Sequence, residues 1–170
     1  MSSTNLMSQP EFCQATGLTP RQAIYLCEKK VIEAAEDPGG RGRPRRFSLE
    51  NVAEYRLAQH LMDCGLEIRR VAAITYLVRM FFQRIQLWKK QADFKKLPDS
   101  LASVSSDHPI WLVIIDFSAA ALRFDAGGGM FTPFIKVSPD GGFSGPFNGF
   151  EKTYAAAVTR LEVNLASIAG

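Results

Sequence analysis

From Val71 to Ala92 apolar residues recur in steps of 3, 4, 3, 4, 3 and 4: Val71, Ile74, Val78, Phe81, Ile85, Trp88 and Ala92. Only an α-helix brings positions so spaced to one side, and a stripe carried for three heptads is too apolar to face water. The chain must therefore build around a long helix and supply a cover for it. This is the pattern of helices that pair. The expected cover is a second copy, with Val71, Ile74, Val78, Phe81, Ile85 and Trp88 forming a homodimer seam. The competing cover is the helix's own domain, because Leu77, Met80, Phe82 and Leu87 widen the stripe. Arg79 and Arg84 break the apolar run, so it is not expected to span a membrane.

Upstream, local signals mark three more helices. Ser8-Gln9-Pro10-Glu11 reads as a capping box, and the short helix it opens ends at Gly17. Thr19 can cap a second helix, with Pro20 at its first position, where the missing N–H does no harm. The pattern then breaks at "EDPGGRGRPRRF", whose flanks can pair as a two-stranded ribbon around Gly39-Gly40. Ser48 caps a third helix with Glu50 in its first turn, Leu49, Val52, Ala53, Leu57, Leu61 and Cys64 on its apolar face, and Gly65 at its end.

This order of parts resembles the MerR family of bacterial transcription regulators. "TGLTPR" (16–21) matches the family's helix-turn-helix, "RRFSLENV" (45–52) the exit from its wing, and "CGLEIRRV" (64–71) the entry to its fourth helix. Two family features are absent: the Arg-Tyr-Tyr-like run of the second helix is Ile24-Tyr25-Leu26, and the glycine after that helix is Lys30. The resemblance implies a mainly α winged helix-turn-helix over 5–74, with 67–96 continuing into a dimerisation helix. It implies a homodimer on double-stranded DNA. Thr19, Arg21, Gln22 and Tyr25 would then meet the major groove, and Arg41, Arg43, Arg45 and Arg46 the phosphates or the flanking minor groove. Phe47 would be buried, pinning the wing to the third helix.

The charge distribution points the same way. Up to Lys96 there are 16 Lys/Arg against 10 Asp/Glu, and from Leu97 onward 4 against 7. A basic front suits a polyanion. Between Arg41 and Arg46 no acidic residue interrupts the four arginines, so the wing repels itself unless phosphates are expected.

After the helices the character changes. Residues 97–109 read as a polar linker, and 110–170 as a small α+β domain: strands in "IWLVIIDFS", "ALRFDA" and "MFTPFIKVS", a turn at Gly127-Gly128-Gly129, and an amphipathic helix from 150 to 169 with Tyr154, Val158, Leu161, Leu165 and Ile168 on one side. Its many aromatics suit a small core, or an apolar pocket for a small-molecule effector; its sheet edge suits a protein effector. His60 and His108 complete no nucleophile–base arrangement, and "DAGGGMF" lacks the ending of a phosphate loop. Cys13, Cys27 and Cys64 have no metal-ligand spacing. No catalytic residue, metal or cofactor is therefore expected. The expectation is a cytoplasmic, nucleoid-associated, sequence-specific transcription regulator. Its alternative is an architectural or accessory DNA-binding protein of segregation or recombination.

Overall fold

The stripe on the long helix does find a cover, and the cover is the chain itself. The computed structural model describes residues 6–39, 43–89, 97–124, 130–131, 134–137, 143–147 and 156–169. Four helices come first: α1 (Gln9–Thr16), α2 (Pro20–Glu28), α3 (Leu49–Asp63) and α4 (Ile68–Trp88). On α4, Val71, Ile74, Val78, Phe81 and Ile85 are each at most 4% exposed in the single chain. They pack into one hydrophobic core with Leu57 and Leu61 of α3 and with Leu112, Leu122 and Phe124 from the second half. Exposing them to water would cost roughly 1.5–3 kcal/mol per side chain. In the single chain these five residues of the expected seam thus lie inside the core. The Trp88 side chain lies outside the described residues, as does Ala92.

The helix ends follow their local chemistry. Ser8 donates from its backbone N–H and its Oγ to Glu11 Oε2 at 2.6 and 2.7 Å. Gly17, at φ 73°, takes the left-handed conformation that closes α1, with its N–H on the Cys13 carbonyl at 2.8 Å. Lys30, just past α2, also sits in that region at φ 59°. The backbone there takes the bend that glycine favours although the residue is a lysine. On α3 two expected apolar positions differ: Leu49 is 68% exposed and Cys64 is exposed, while Asn51 and Glu54 are buried.

Two short strands, β1 (Met7–Ser8) and β2 (Arg46–Phe47), pair antiparallel beside the helices. The second half is a six-stranded sheet of β3 (Ile110–Ile115), β4 (Ala119–Phe124), β5 (Met130–Phe131), β6 (Phe134–Val137), β7 (Phe143–Phe147) and β8 (Arg160–Asn164), in the order β7-β6-β4-β3-β8, with β5 also on β4. Strand β3 is apolar throughout because both its faces are used. Ile110, Leu112 and Ile114 join the main core, while Val113 and Ile115 join a second cluster with Ala119 and Ala121. The sheet reaches the helices through β4, where the Phe124 ring lies 5.7 Å from that of Phe81.

Two further expectations change. Residues 97–109 are no free linker: Leu97, Leu101 and Val104 are buried, and the Glu50 carboxylate accepts from the N–H groups of Leu101 and Ala102 at 2.9 and 3.0 Å. Glu50 thus caps a 3-10 turn instead of only facing its own helix dipole. The helix expected over 150–169 is, from Arg160 to Asn164, strand β8 on the edge of β3, followed by a helical turn at Ala166–Ala169. Val158, placed on the apolar side of that helix, is 94% exposed. Gly127-Gly128-Gly129, Phe150 and Tyr154 lie outside the described residues.

Candidate nucleic-acid interface

Thr19 opens α2 and is bound to its third residue from both sides. Its Oγ1 accepts from the Gln22 N–H at 3.3 Å, while its own N–H and Oγ1 donate to Gln22 Oε1 at 2.9 and 2.8 Å. The cap therefore engages the acceptor of Gln22 and leaves its Nε2 donor. Gln9 Nε2 donates to the Pro20 carbonyl at 3.2 Å, holding the start of α2 against α1.

Arg21, Tyr25 and Lys29 follow at four-residue spacing, so they fall on one side of the helix. All three are exposed, and the Lys29 ammonium stands 5.5 Å over the Tyr25 ring. Ile24, on the same helix, is 39% exposed, an apolar side chain open to solvent. Together these residues give α2 an outer face that is cationic, aromatic and partly apolar. Ala23 and Leu26 hold its inner face in the core.

The segment expected as a wing is anchored at its base. Glu36 and Arg46 exchange two backbone hydrogen bonds, at 3.1 and 3.0 Å, as an antiparallel pair. Phe47 follows directly, is 1% exposed, and stacks on Phe12 of α1 with ring centroids 4.2 Å apart. Phe47 is buried as expected, and its ring stacks on α1 where the third helix was expected. Arg45 has a partner the local sequence did not offer: its Nε lies 2.7 Å from Asp37 Oδ2 across the hairpin. That hydrogen bond holds the Asp37 carboxyl below the ordinary carboxylate range. Arg21, Lys30, Arg43 and Arg46 are exposed and have no ion-pair partner among the described residues. Arg41 lies outside them.

Between the end of α2, Asp37 and the outer face of α4 runs an open groove of about 890 Å³, with Lys29, Lys30 and Arg69 among its walls. Deeper in, a polar cluster of Asn51, Glu54 and Arg79 joins α3 to α4. The sequence marked Arg79 only as a break in an apolar run. Its better signal was a pair of polar residues, Asn51 and Glu54, interleaved with the apolar face of α3. Burial pushes the Glu54 carboxyl above its usual range, against the opposing pull of Arg79 and Asn51. Among the described residues no group of three or more His, Cys, Asp or Glu side chains could hold a metal ion, and no helix is long and apolar enough to cross a membrane.

The chain matches no family model, and no curated protein is similar to it in sequence, so the interface is read from its own geometry.

Proposed function

We propose that the protein is a sequence-specific regulator of transcription that binds double-stranded DNA, with α2 in the major groove and the wing along phosphates and the neighbouring minor groove. The observation that carries this is the pairing of two exposed cationic elements on a fixed frame. Arg21, Tyr25 and Lys29 line the outside of α2, and Arg43 and Arg46 stand on a wing whose root is stacked into the core. Unpaired guanidinium groups on an anchored hairpin lose little entropy when they meet phosphates. An exposed helix face with a guanidinium, an amide donor and an apolar side chain can address base edges and thymine methyl groups. Two copies acting together would need a surface other than the buried stripe of α4.

One observation favours a second reading. The Gln22 acceptor is engaged by Thr19 and the Tyr25 ring by Lys29, which leaves few groups on α2 for reading bases. A protein whose affinity comes mainly from the wing would be an architectural DNA-binding protein. Selection of fragmented genomic DNA on the purified chain, followed by sequencing, separates the two. A few defined sites near promoters support the regulator, and broad A·T-rich or phased enrichment supports the architectural role. Binding to duplex that is absent at all salt concentrations sinks both.

A further inference from the structure

Past α2 the chain must travel from the recognition helix to the wing, and it does so as a strap over residues 31–35 with no regular secondary structure. Val31 and Ile32 still donate to the Leu26 carbonyl, at 3.0 and 3.4 Å. Beyond them the strap is held by side chains from α3 and α4. Asn51 Nδ2 donates to the Glu33 carbonyl at 2.7 Å, and Asn51 Oδ1 accepts from the Ala35 N–H at 3.2 Å. Arg79 supplies the rest with three nitrogens. Nε donates to Glu54 Oε1 at 2.7 Å, Nη1 lies 3.0 Å from Glu33 Oε2, and Nη2 donates to the Val31 carbonyl at 3.5 Å. Asn51 Nδ2 also reaches Glu54 Oε2 at 3.1 Å, which closes the cluster. The next residue after the strap is Glu36, which opens the wing by pairing with Arg46.

Stability alone is a poor reason for this arrangement. The Arg79 side chain is 12% exposed and that of Glu54 5%, and an ion pair so enclosed roughly breaks even against a well-packed apolar pair. What polar groups add is direction. A planar guanidinium can address three acceptors at fixed angles, and an amide can bond one carbonyl and one N–H at once. Both side chains spend part of that capacity on the backbone or side chains of the strap and part on α3.

We infer that Arg79 and Asn51 are positioning residues of the nucleic-acid interface: they fix the strap, and through it the distance and angle of the wing relative to α2. This rests on the DNA-binding reading. α4 also carries the sheet on its other side, through Phe81 against Phe124 and through Arg70 Nη1, which donates to the Phe117 carbonyl at 2.8 Å. The clamp therefore places the wing in the frame of the whole core.

The test uses the full chain with two variants. Arg79→Lys keeps a charge for Glu54 and loses the reach to Glu33 and Val31. Glu54→Met/Arg79→Met removes the pair without leaving a buried charge. Each is measured for thermal unfolding, for duplex affinity between about 50 and 200 mM salt, and for amide hydrogen exchange. The expected result is an affinity reduced about tenfold and a salt slope shallower by about one to two, as phosphate contacts from the wing are lost. Exchange at the Glu36 and Arg46 amides should rise while the middle of α3 stays protected. Folded variants with the wild-type slope and wild-type protection at Glu36 and Arg46 overturn the inference. Should the double variant fail to fold, Arg79→Lys alone decides, by the same two readouts. Wild-type protein with no salt-dependent duplex binding overturns the DNA reading instead, and the exchange result still judges the clamp.

Discussion

Two arginine–carboxylate pairs flank the strap, and they are opposites. At the wing, Arg45 and Asp37 meet in the open, with side chains 28% and 46% exposed. At the helix junction, Arg79 and Glu54 meet with side chains 12% and 5% exposed. The same chemistry has different consequences because water is present at one site and nearly excluded at the other. In the open pair the hydrogen bond from Arg45 wins, and the Asp37 carboxyl titrates below its usual value. In the enclosed pair the loss of water wins, and the Glu54 carboxyl titrates above it. The wing pair can be exchanged for another anion at little cost. The junction pair cannot be opened without leaving a charge stranded.

The largest expected effect is at the junction. Arg79→Ala leaves Glu54 buried without its cation and should cost roughly 3–5 kcal/mol in denaturant unfolding. A loss below about 1 kcal/mol, the scale of an exposed pair, would erase the contrast. Next comes pH. A carboxyl raised on folding favours the folded state fully below its unfolded value of 4.5 and loses that contribution as pH rises through the higher folded value. Asp37 runs the other way: its contribution is present above 3.8 and is lost as pH falls through the lower folded value. Glu54→Gln should therefore flatten the decline in unfolding midpoint above pH 4.5. Asp37→Asn should leave that decline in place, and a decline surviving Glu54→Gln assigns it to another group.

Lys30 gives a smaller effect. It holds a left-handed backbone at φ 59°, so Lys30→Gly should stabilise by on the order of 1 kcal/mol, with duplex affinity lowered only by the lost charge. A destabilised glycine variant would mean that the lysine side chain holds the strap itself. The smallest effect is at the wing. Asp37→Asn should lower the melting temperature only slightly and tighten duplex binding a few-fold at low salt, by releasing Arg45 to phosphates. Equal affinity at low salt would place Arg45 away from DNA.

What the sequence made visible were the features settled within a few residues. Ser8, Thr19 and Ser48 mark helix starts because caps act over three positions, and Gly17 marks an end because its φ of 73° suits glycine. The burial of Phe47 was implied only by the resemblance of its surroundings to a wing exit, because its stacking partner, Phe12, is distant in sequence. The identity of the cover over α4 was not visible, since heptad spacing says that a stripe must be buried and never by what. The misreading of residues 160–164 has a similar cause. Leu161 and Leu165 satisfy a helical period, but Leu161, Val163 and Leu165 also alternate, and the free edge of β3 selected the strand. On the candidate interface, the exposed face of α2 was legible. The Arg45–Asp37 bond and the Arg79 clamp were not, because each joins residues that only the folded backbone brings together.

The place of β3 in its sheet has a consequence for synthesis. Its hairpin partner β4 follows after a short turn, whereas its other neighbour, β8, is made only after β4, β5, β6 and β7. During translation the Ile-Trp-Leu-Val-Ile-Ile strand therefore waits with one edge unpaired, an invitation to association between nascent chains. A chain stopped ahead of Arg160 should accumulate as aggregate, and a separate peptide spanning 156–169 added during refolding should recover soluble protein.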